Sequence, residues 1–181
     1  MKIAITQKQI KIGDILYDSL NPNWYNLFPK HVIVPIPNIP NITIDSAVDL
    51  IILASDQVAY DGTSSELMCF NWAVKNNKSL LAIGQSALYV NYLHNGINIP
   101  IDGHDNKKHT VLMDGKIYPI NSTHDLGIYE LGPRLEQMAI ASDKSIEGFK
   151  HRFRPFWGVL WNPEQLPYMV LPGELLQILN N

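Results

Sequence analysis

Residues 79–86 read SLLAIGQS, and this short stretch decides the fold class. Leu80–Ile83 is continuously apolar, which is typical of a strand covered on both faces in a parallel sheet. Gly84 follows, and residues 86–94 have the spacing of a helix that ends just before Gly96. A buried strand that passes through a glycine into a helix indicates an α/β sheet.

Further strands and helices extend this unit in both directions. The other β-rich stretches are Lys2–Thr6, Val32–Ile36, Asp49–Ala54 and Val159–Trp161. Helical spacing occurs over Asp18–Leu27 and again after Thr63, which forms a capping-box pattern with Glu66. We expect a mostly parallel central sheet with helices on both faces.

The region from His109 to Lys150 has a different pattern. Its short segments are separated by Asp114-Gly115 and Asp143-Lys144, which are typical of turns between antiparallel strands. We expect a small antiparallel extension of the main sheet, formed by His109–Met113, Lys116–Ile120, Gln137–Ala141 and Ser145–Phe149.

Size and composition narrow the possible functions. The 181 residues suit one domain spanning 1–181, and 14 basic against 17 acidic residues give a net charge of −3. No basic stripe is present, so we expect no nucleic-acid partner. The apolar runs are too short to cross a bilayer, and we expect a cytoplasmic protein without a membrane partner. The single cysteine, Cys69, excludes an internal disulfide.

Six segments, in chain order, resemble the class I glutamine amidotransferase superfamily, especially its γ-glutamyl hydrolase branch (peptidase C26-like proteins). They are MKIAITQ at 1–7 with DSL at 18–20 and WY at 24–25, PIPN at 35–38, DLIIL at 49–53, LAIG at 81–84, NSTH at 121–124 and GVLWNPE at 158–164. The N-terminal pattern is most similar to γ-glutamyl-CDP-amidate hydrolases. The resemblance covers nearly the whole chain and implies the flavodoxin-like fold of this superfamily.

The resemblance also implies where catalytic groups would lie. The relatives split a γ-glutamyl amide through a cysteine thioester, with a histidine base oriented by a carboxylate. The cysteine position corresponds to Gly84 and the histidine position to Asn162, while Glu164 retains the carboxylate. Glycine has no nucleophile, and an amide does not accept a proton near neutral pH. Where the relatives have a glycine pair in the oxyanion loop, this chain has Ala54-Ser55-Asp56.

The combined loss of these elements predicts a catalytically inactive protein that acts through a protein partner or self-association. An exposed apolar patch would support this hypothesis. An alternative is a small-molecule binding or regulatory role for the old cleft, lined by Ser55, Asp56, Gln85, Asn121, Ser122 and His124. A local turn explains Asn121 and Ser122 equally well. A second alternative is residual γ-glutamyl amide hydrolysis that depends on Glu164 or His124.

Other chemically active residues have simpler interpretations. Cys69 lies in the middle of a predicted helix, where a buried structural cysteine is usual. Ser86, two residues after the elbow, suits a helix N-cap better than a nucleophile. His104 and Asp105 are the best pair for a metal, but no histidine pair has the helical spacing of a zinc motif. We predict no metal site and no cofactor.

Overall fold

The computed structural model describes residues 1–55 and 64–180. The strands are β1 (Lys2–Thr6), β2 (Lys8–Ile12), β3 (Ile15–Ser19), β4 (Val32–Ile36), β5 (Leu50–Leu53), β6 (Ser79–Ile83), β7 (Ile97–Pro100), β8 (Lys107–Met113), β9 (Lys116–Ser122), β10 (Leu126–Glu130), β11 (Leu135–Ala141), β12 (Ile146–His151) and β13 (Phe156–Val159). The helices are α1 (Asn23–Leu27), α2 (Ser65–Asn76), α3 (Gln85–Leu93) and α4 (Gly173–Asn180). No helix in these two ranges is both long enough and apolar enough to cross a lipid bilayer.

Eleven of the described strands form one mixed sheet. Its parallel part has the order β4-β1-β5-β6-β13. Beyond β13 the sheet continues antiparallel through β12, β11, β8 and β9, and β10 and β7 pair beside β12. The predicted α/β architecture is confirmed, and its antiparallel extension has more strands than the sequence suggests.

The inner parallel strands β1, β5, β6 and β13 are buried on both faces, as apolar runs predict, whereas the edge strand β4 is partly exposed. Ile3 and Ile5 of β1 pack into one apolar cluster with residues of α1 and α4. Ala4, between them, packs into a second cluster with residues of α2 and α3. Because successive side chains of a strand point to opposite faces, one continuous apolar run supplies both clusters. The helices therefore lie on both sides of the sheet.

Two element predictions need correction. The helix predicted over Asp18–Leu27 is wrong in its first half, because β3 continues to Ser19 and α1 begins only at Asn23. Gly13, with a φ of 62°, helps to turn the chain between β2 and β3. The strand predicted over Val159–Trp161 lies earlier, at Phe156–Val159.

The helix starts also differ from the predicted caps. The hydroxyl of Ser64 accepts from the backbone N–H of Leu67 at 3.2 Å and caps α2, while Thr63 lies outside the described residues. Helix α3 begins directly after Gly84, so Ser86 lies inside its first turn and is not its N-cap. The glycine's positive φ turns the chain into the helix, so the N-cap lies two residues earlier than predicted, at Gly84.

Candidate functional site

Gly84 forms a sharp elbow between β6 and α3. Its φ of 54° and ψ of −126° lie where other residues are rarely found, and glycine adopts them at little cost. Its amide donates to the carbonyl oxygen of Val159 at 2.9 Å, which holds the elbow against β13. The elbow that the resemblance implies is present, without a side chain at its centre.

Asn162 faces this elbow from the segment that follows β13. A β-carbon added to Gly84 would lie 3.5 Å from the side-chain oxygen of Asn162, an ordinary contact distance. The Asn162 side-chain amide donates to the hydroxyl of Thr123 at 2.9 Å. The positions that the resemblance assigns to nucleophile and base therefore meet in space, and neither carries the group that the reaction needs.

Glu164 lies two residues beyond Asn162, in a 3₁₀ turn over Pro163–Gln165. It is 1% exposed, and one carboxylate oxygen lies 3.9 Å from the ammonium nitrogen of Lys8. Its backbone carbonyl accepts from the side chain of Asn23 at 3.0 Å. The remaining carboxylate is thus near a lysine and has no histidine at position 162 to orient.

Asn121 supports the Asn162 segment from the end of β9. Its side-chain oxygen accepts from the backbone N–H of Asn162 at 3.0 Å. Its amide donates to the Asn162 carbonyl and to the Gln165 side chain, each at 3.3 Å. Asn121 was predicted as a ligand residue, and its contacts are those of a residue that holds the wall of the cleft.

The structure corrects the predicted lining at Ser122 and His124. The hydroxyl of Ser122 is buried and donates to the backbone carbonyl of His104. His124 is 2% exposed, and its ring nitrogen lies 3.6 Å from the carboxylate of Glu147. Thr123, between them, faces the cleft, because successive residues of an extended segment point to opposite sides.

An open cavity of about 440 Å³ lies beside the elbow. It is lined by Lys8, Gly84, Gln85, Thr123, Asn162 and Gln165. Of the predicted ligand residues, Gln85 lines the cavity, Ser55 is fully buried, and Asp56 lies outside the described residues. Sequence reasoning missed Lys8, Thr123 and Gln165. The position of Lys8 just after β1 was an available signal, since ligands of such sheets bind beyond the carboxyl ends of the strands.

Glu66 of α2 is a buried carboxylate that joins the segments around the elbow. One of its oxygens accepts three hydrogen bonds: from the Thr6 hydroxyl at 3.0 Å, the Ser55 backbone N–H at 2.8 Å and the Ser86 hydroxyl at 2.7 Å. Thr6 ends β1, Ser55 follows β5, and Ser86 lies in α3. Glu66 was predicted to serve a helix cap, and its side chain instead holds this edge of the sheet together.

Cys69 lies fully buried in α2 and is not among the residues of the cavity. Burial and the charge of nearby Glu66 raise the pKa of its thiol to about 12. Because the thiolate is the reactive form, we expect the native protein not to react with a disulfide reagent such as DTNB near pH 8. One equivalent should react after unfolding in guanidinium. Rapid labelling of the folded protein would contradict this expectation and would make Cys69 a candidate nucleophile.

His104 and Asp105, the best sequence candidates for a metal pair although no metal site was predicted, do not lie together. Asp105 is exposed, whereas His104 is buried and its Nε2 lies 2.8 Å from a carboxylate oxygen of Asp143. His104 instead belongs to a cluster of histidines that shares no residue with the described cavity lining.

Part of the chain is similar in sequence to known proteins. Residues 97–164 match the family model of peptidase C26. The γ-glutamyl-CDP-amidate hydrolase of Campylobacter jejuni is 31% identical over 86 residues, which are 48% of this chain and 42% of that protein. The matched region thus spans less than half of this curated relative.

Solved structures share the fold over most of the chain. A Thermoplasma acidophilum protein described as part of a GMP synthase has a TM-score of 0.70 at 16% identity, covering 93% of this chain and 86% of its own. A glutamine amidotransferase of Thermotoga maritima has a TM-score of 0.68 at 9% identity, covering 90% and 76%. The class I glutamine amidotransferase fold is confirmed, as is the resemblance to peptidase C26 proteins.

Proposed function

We propose that this glutamine amidotransferase-like chain lacks hydrolase activity and acts by binding another protein chain, as a component of an assembly. The observation that carries the proposal is an exposed apolar face on the hairpin of β2 and β3. The chemistry of the cleft supports the absence of hydrolase activity, and the hairpin supports the binding of another chain.

The cleft lacks the groups of the thioester reaction. Gly84 offers no nucleophile at the elbow, and Asn162 offers no base beside it. Among the cavity residues that the structure describes, the hydroxyl belongs to Thr123, and it accepts a hydrogen bond from Asn162. A hydroxyl needs a neighbouring base before it can attack an amide, and the Asn162 side chain does not supply one.

The hairpin presents one apolar face to solvent. Ile10 pairs with Tyr17, and Ile12 pairs with Ile15, so the four side chains lie on the same face. Their exposed fractions are 44%, 45%, 61% and 58%, in that order. Single exposed apolar residues are common, but a contiguous group marks an interaction surface. We call these four residues the hairpin patch.

The hairpin patch has the surroundings of a protein-binding surface. Within the described residues β2 and β3 pair only with each other, so the hairpin stands apart from the main sheet. Its base is held by Asp18, which accepts from the backbone and side-chain amides of Asn38 at 3.0 and 2.9 Å. Asp14 lies in the turn at the end of the patch, whereas Lys11 pairs with Leu16 on the opposite face of the hairpin.

A relative with the same fold supports an assembly role. The Thermoplasma acidophilum protein, which shares the fold at 16% identity, is described as a subunit of GMP synthase. A chain of this fold that has lost its own chemistry can still contribute a binding surface to such an assembly. We therefore infer a protein partner that covers the hairpin patch.

Small-molecule binding in the cleft is the second candidate, and a specific observation favours it. The cavity beside the elbow remains open at about 440 Å³, and neither Gln85 nor Tyr89 fills it. Tyr89 is 2% exposed and lies parallel to Tyr92, with ring centroids 6.3 Å apart. Lys8 supplies a cation, and Gln85, Thr123 and Gln165 supply hydrogen-bonding groups.

Native mass spectrometry of the tagged protein isolated from its own source tests both candidates. We expect a complex with a second chain in the wild type, and its loss in the Ile12→Asp/Ile15→Asp double variant. A charge at a buried interface centre costs about 2 kcal/mol or more, which is at least about thirtyfold in Kd. Ile117→Asp is the matched control, because Ile117 is 71% exposed on a different hairpin.

The outcomes separate the two candidates. A complex that survives equally in the hairpin variant and in Ile117→Asp would contradict the role of the hairpin patch. A second copy of this chain in the complex would identify the partner as the protein itself. A single chain that carries a defined extra mass would instead support ligand binding in the cleft.

A further inference from the structure

Four side chains converge in the antiparallel half of the sheet, outside the cleft. His104 lies in the loop before β8, His109 in β8, His124 just after β9 and Glu147 in β12. His104 Nδ1 lies 3.1 Å from one carboxylate oxygen of Glu147, and the Nε2 atoms of His109 and His124 each lie 3.6 Å from the other. Glu147 is fully buried, and His104 and His124 are nearly so.

Hydrogen bonds on the far side of two rings determine where their protons lie. Nε2 of His104 is 2.8 Å from a carboxylate oxygen of Asp143, which only accepts, so Nε2 carries the proton. Nδ1 of His124 is 2.8 Å from the carbonyl oxygen of Leu126, so Nδ1 carries the proton there. In the neutral rings, the nitrogen without a proton therefore faces Glu147 in both cases.

For His104 and His124, this arrangement places an unprotonated nitrogen against a carboxylate oxygen, so two acceptors face each other. The facing nitrogens of His104, His109 and His124 and one carboxylate oxygen of Glu147 are buried without a hydrogen-bond partner among the described residues. Buried polar atoms are normally paired. Positive charge at the centre of the cluster would stabilise these unpaired atoms, and it can come from extra protons on the rings or from a bound cation.

A cation suits the cluster better than extra protons. Protonation of all three rings would place imidazolium centroids 4.7 and 5.0 Å apart in a buried site, where like charges repel strongly, and Glu147 is the one carboxylate that all three share, because Asp143 contacts only His104. Zinc bonds of about 2.0–2.1 Å in a tetrahedron place ligand atoms about 3.3 Å apart. The nitrogen–oxygen separations of 3.1 to 3.6 Å in the cluster bracket that value.

We propose that His104, His109, Glu147 and, as fourth ligand, His124 bind one divalent transition-metal ion of the zinc class. The ligand atoms of the first three all lie within 4.8 Å of one another. Imidazole suits zinc, cobalt and nickel, whereas magnesium and calcium prefer oxygen ligands. Four protein ligands in a buried site are typical of a structural metal, which here joins β8, the end of β9 and β12.

The outer contacts of the cluster match those of known metal sites. A metal-binding histidine usually donates its other N–H to a carboxylate or a backbone carbonyl, which orients the ring. Asp143 occupies that role for His104, and the Leu126 carbonyl occupies it for His124. The Asp143 side chain is 51% exposed, and in Asp143→Asn one oxygen remains to accept from the backbone N–H and the hydroxyl of Ser145.

Metal content and cobalt binding test the proposal. We expect the chelator-treated wild type to take up one Zn²⁺ or Co²⁺ per chain, with the visible absorption of four-coordinate Co²⁺ and a higher thermal unfolding midpoint. Glu147→Gln, which keeps the side-chain shape, should lower the affinity more than about a hundredfold. Asp143→Asn should lower it about 10- to 100-fold, because it alters only an orienting contact. His31→Gln, which changes a histidine outside the cluster, should bind like the wild type.

Two results would overturn the proposal. One is a wild type that takes up no stoichiometric Co²⁺ or Zn²⁺ after chelator treatment. The other is stoichiometric binding with the same affinity in Glu147→Gln and Asp143→Asn as in the wild type, which would place the ion elsewhere on the chain.

Discussion

Replacing Glu66 with alanine is expected to lower the free energy of unfolding by about 3–5 kcal/mol, because three buried donors lose a charged acceptor, and the Ser86 hydroxyl alone keeps a described alternative, the Ser55 carbonyl oxygen at 2.9 Å. The donors are the hydroxyls of Thr6 and Ser86 and the backbone N–H of Ser55. A hydrogen bond to a charged group contributes about 1.5–3 kcal/mol, and water that enters the vacated space offsets part of the sum. The loss is a large fraction of the stability of an ordinary domain.

Urea unfolding of two further variants serves as the control. Glu66→Gln retains one acceptor oxygen in the same shape and should lose less stability than Glu66→Ala. Glu174→Ala removes an exposed carboxylate whose contact with Lys150 is on the surface, and it should change stability by no more than about 0.5 kcal/mol. If Glu66→Ala lowered the free energy of unfolding as little as Glu174→Ala, the hydrogen bonds to Glu66 would not hold the sheet edge together.

The second large effect concerns catalysis. We expect no release of glutamate from γ-glutamyl amides above a protein-free control. In a catalytic triad, removal of the nucleophile alone lowers kcat on the order of 10⁶-fold. Here position 84 lacks the nucleophile and position 162 lacks the base, and the chain's one thiol is buried at Cys69. The effects on kcat of losing groups that act as a unit are not additive. Loss of the base at position 162 therefore lowers kcat little further once the nucleophile at position 84 is absent.

Much of the fold follows from local patterns in the sequence. The continuous apolar runs predict the parallel strands because burial on both faces leaves no polar alternation. The Asp114-Gly115 turn predicts the hairpin of β8 and β9, and both residues have the positive φ that such a turn requires. The Gly13-Asp14 turn carries a similar signal that the helical spacing of Asp18–Leu27 obscured.

The candidate site was predictable only in part. Gly84 and Asn162 could be placed together because a resemblance to known proteins aligns both positions. The alternation that points Thr123 to the cleft and His124 away from it depends on how the chain leaves β9, which local sequence does not specify. The sequence paired His104 with Asp105 and predicted no metal site, because the members of the histidine cluster are brought together only by the pairing of distant strands.

The most direct test of the proposed inactivity is a glutamate-release assay with purified protein in excess over substrate. The panel should contain glutamine, other γ-glutamyl amides and γ-glutamyl-CDP-amidate, the compound named for the Campylobacter jejuni relative. A cysteine-bearing relative run in parallel serves as the positive control. We predict the same background for the wild type, Thr123→Val and Glu164→Ala. Glutamate release that scales with the wild-type concentration, and is lost in Thr123→Val or Glu164→Ala, would contradict it.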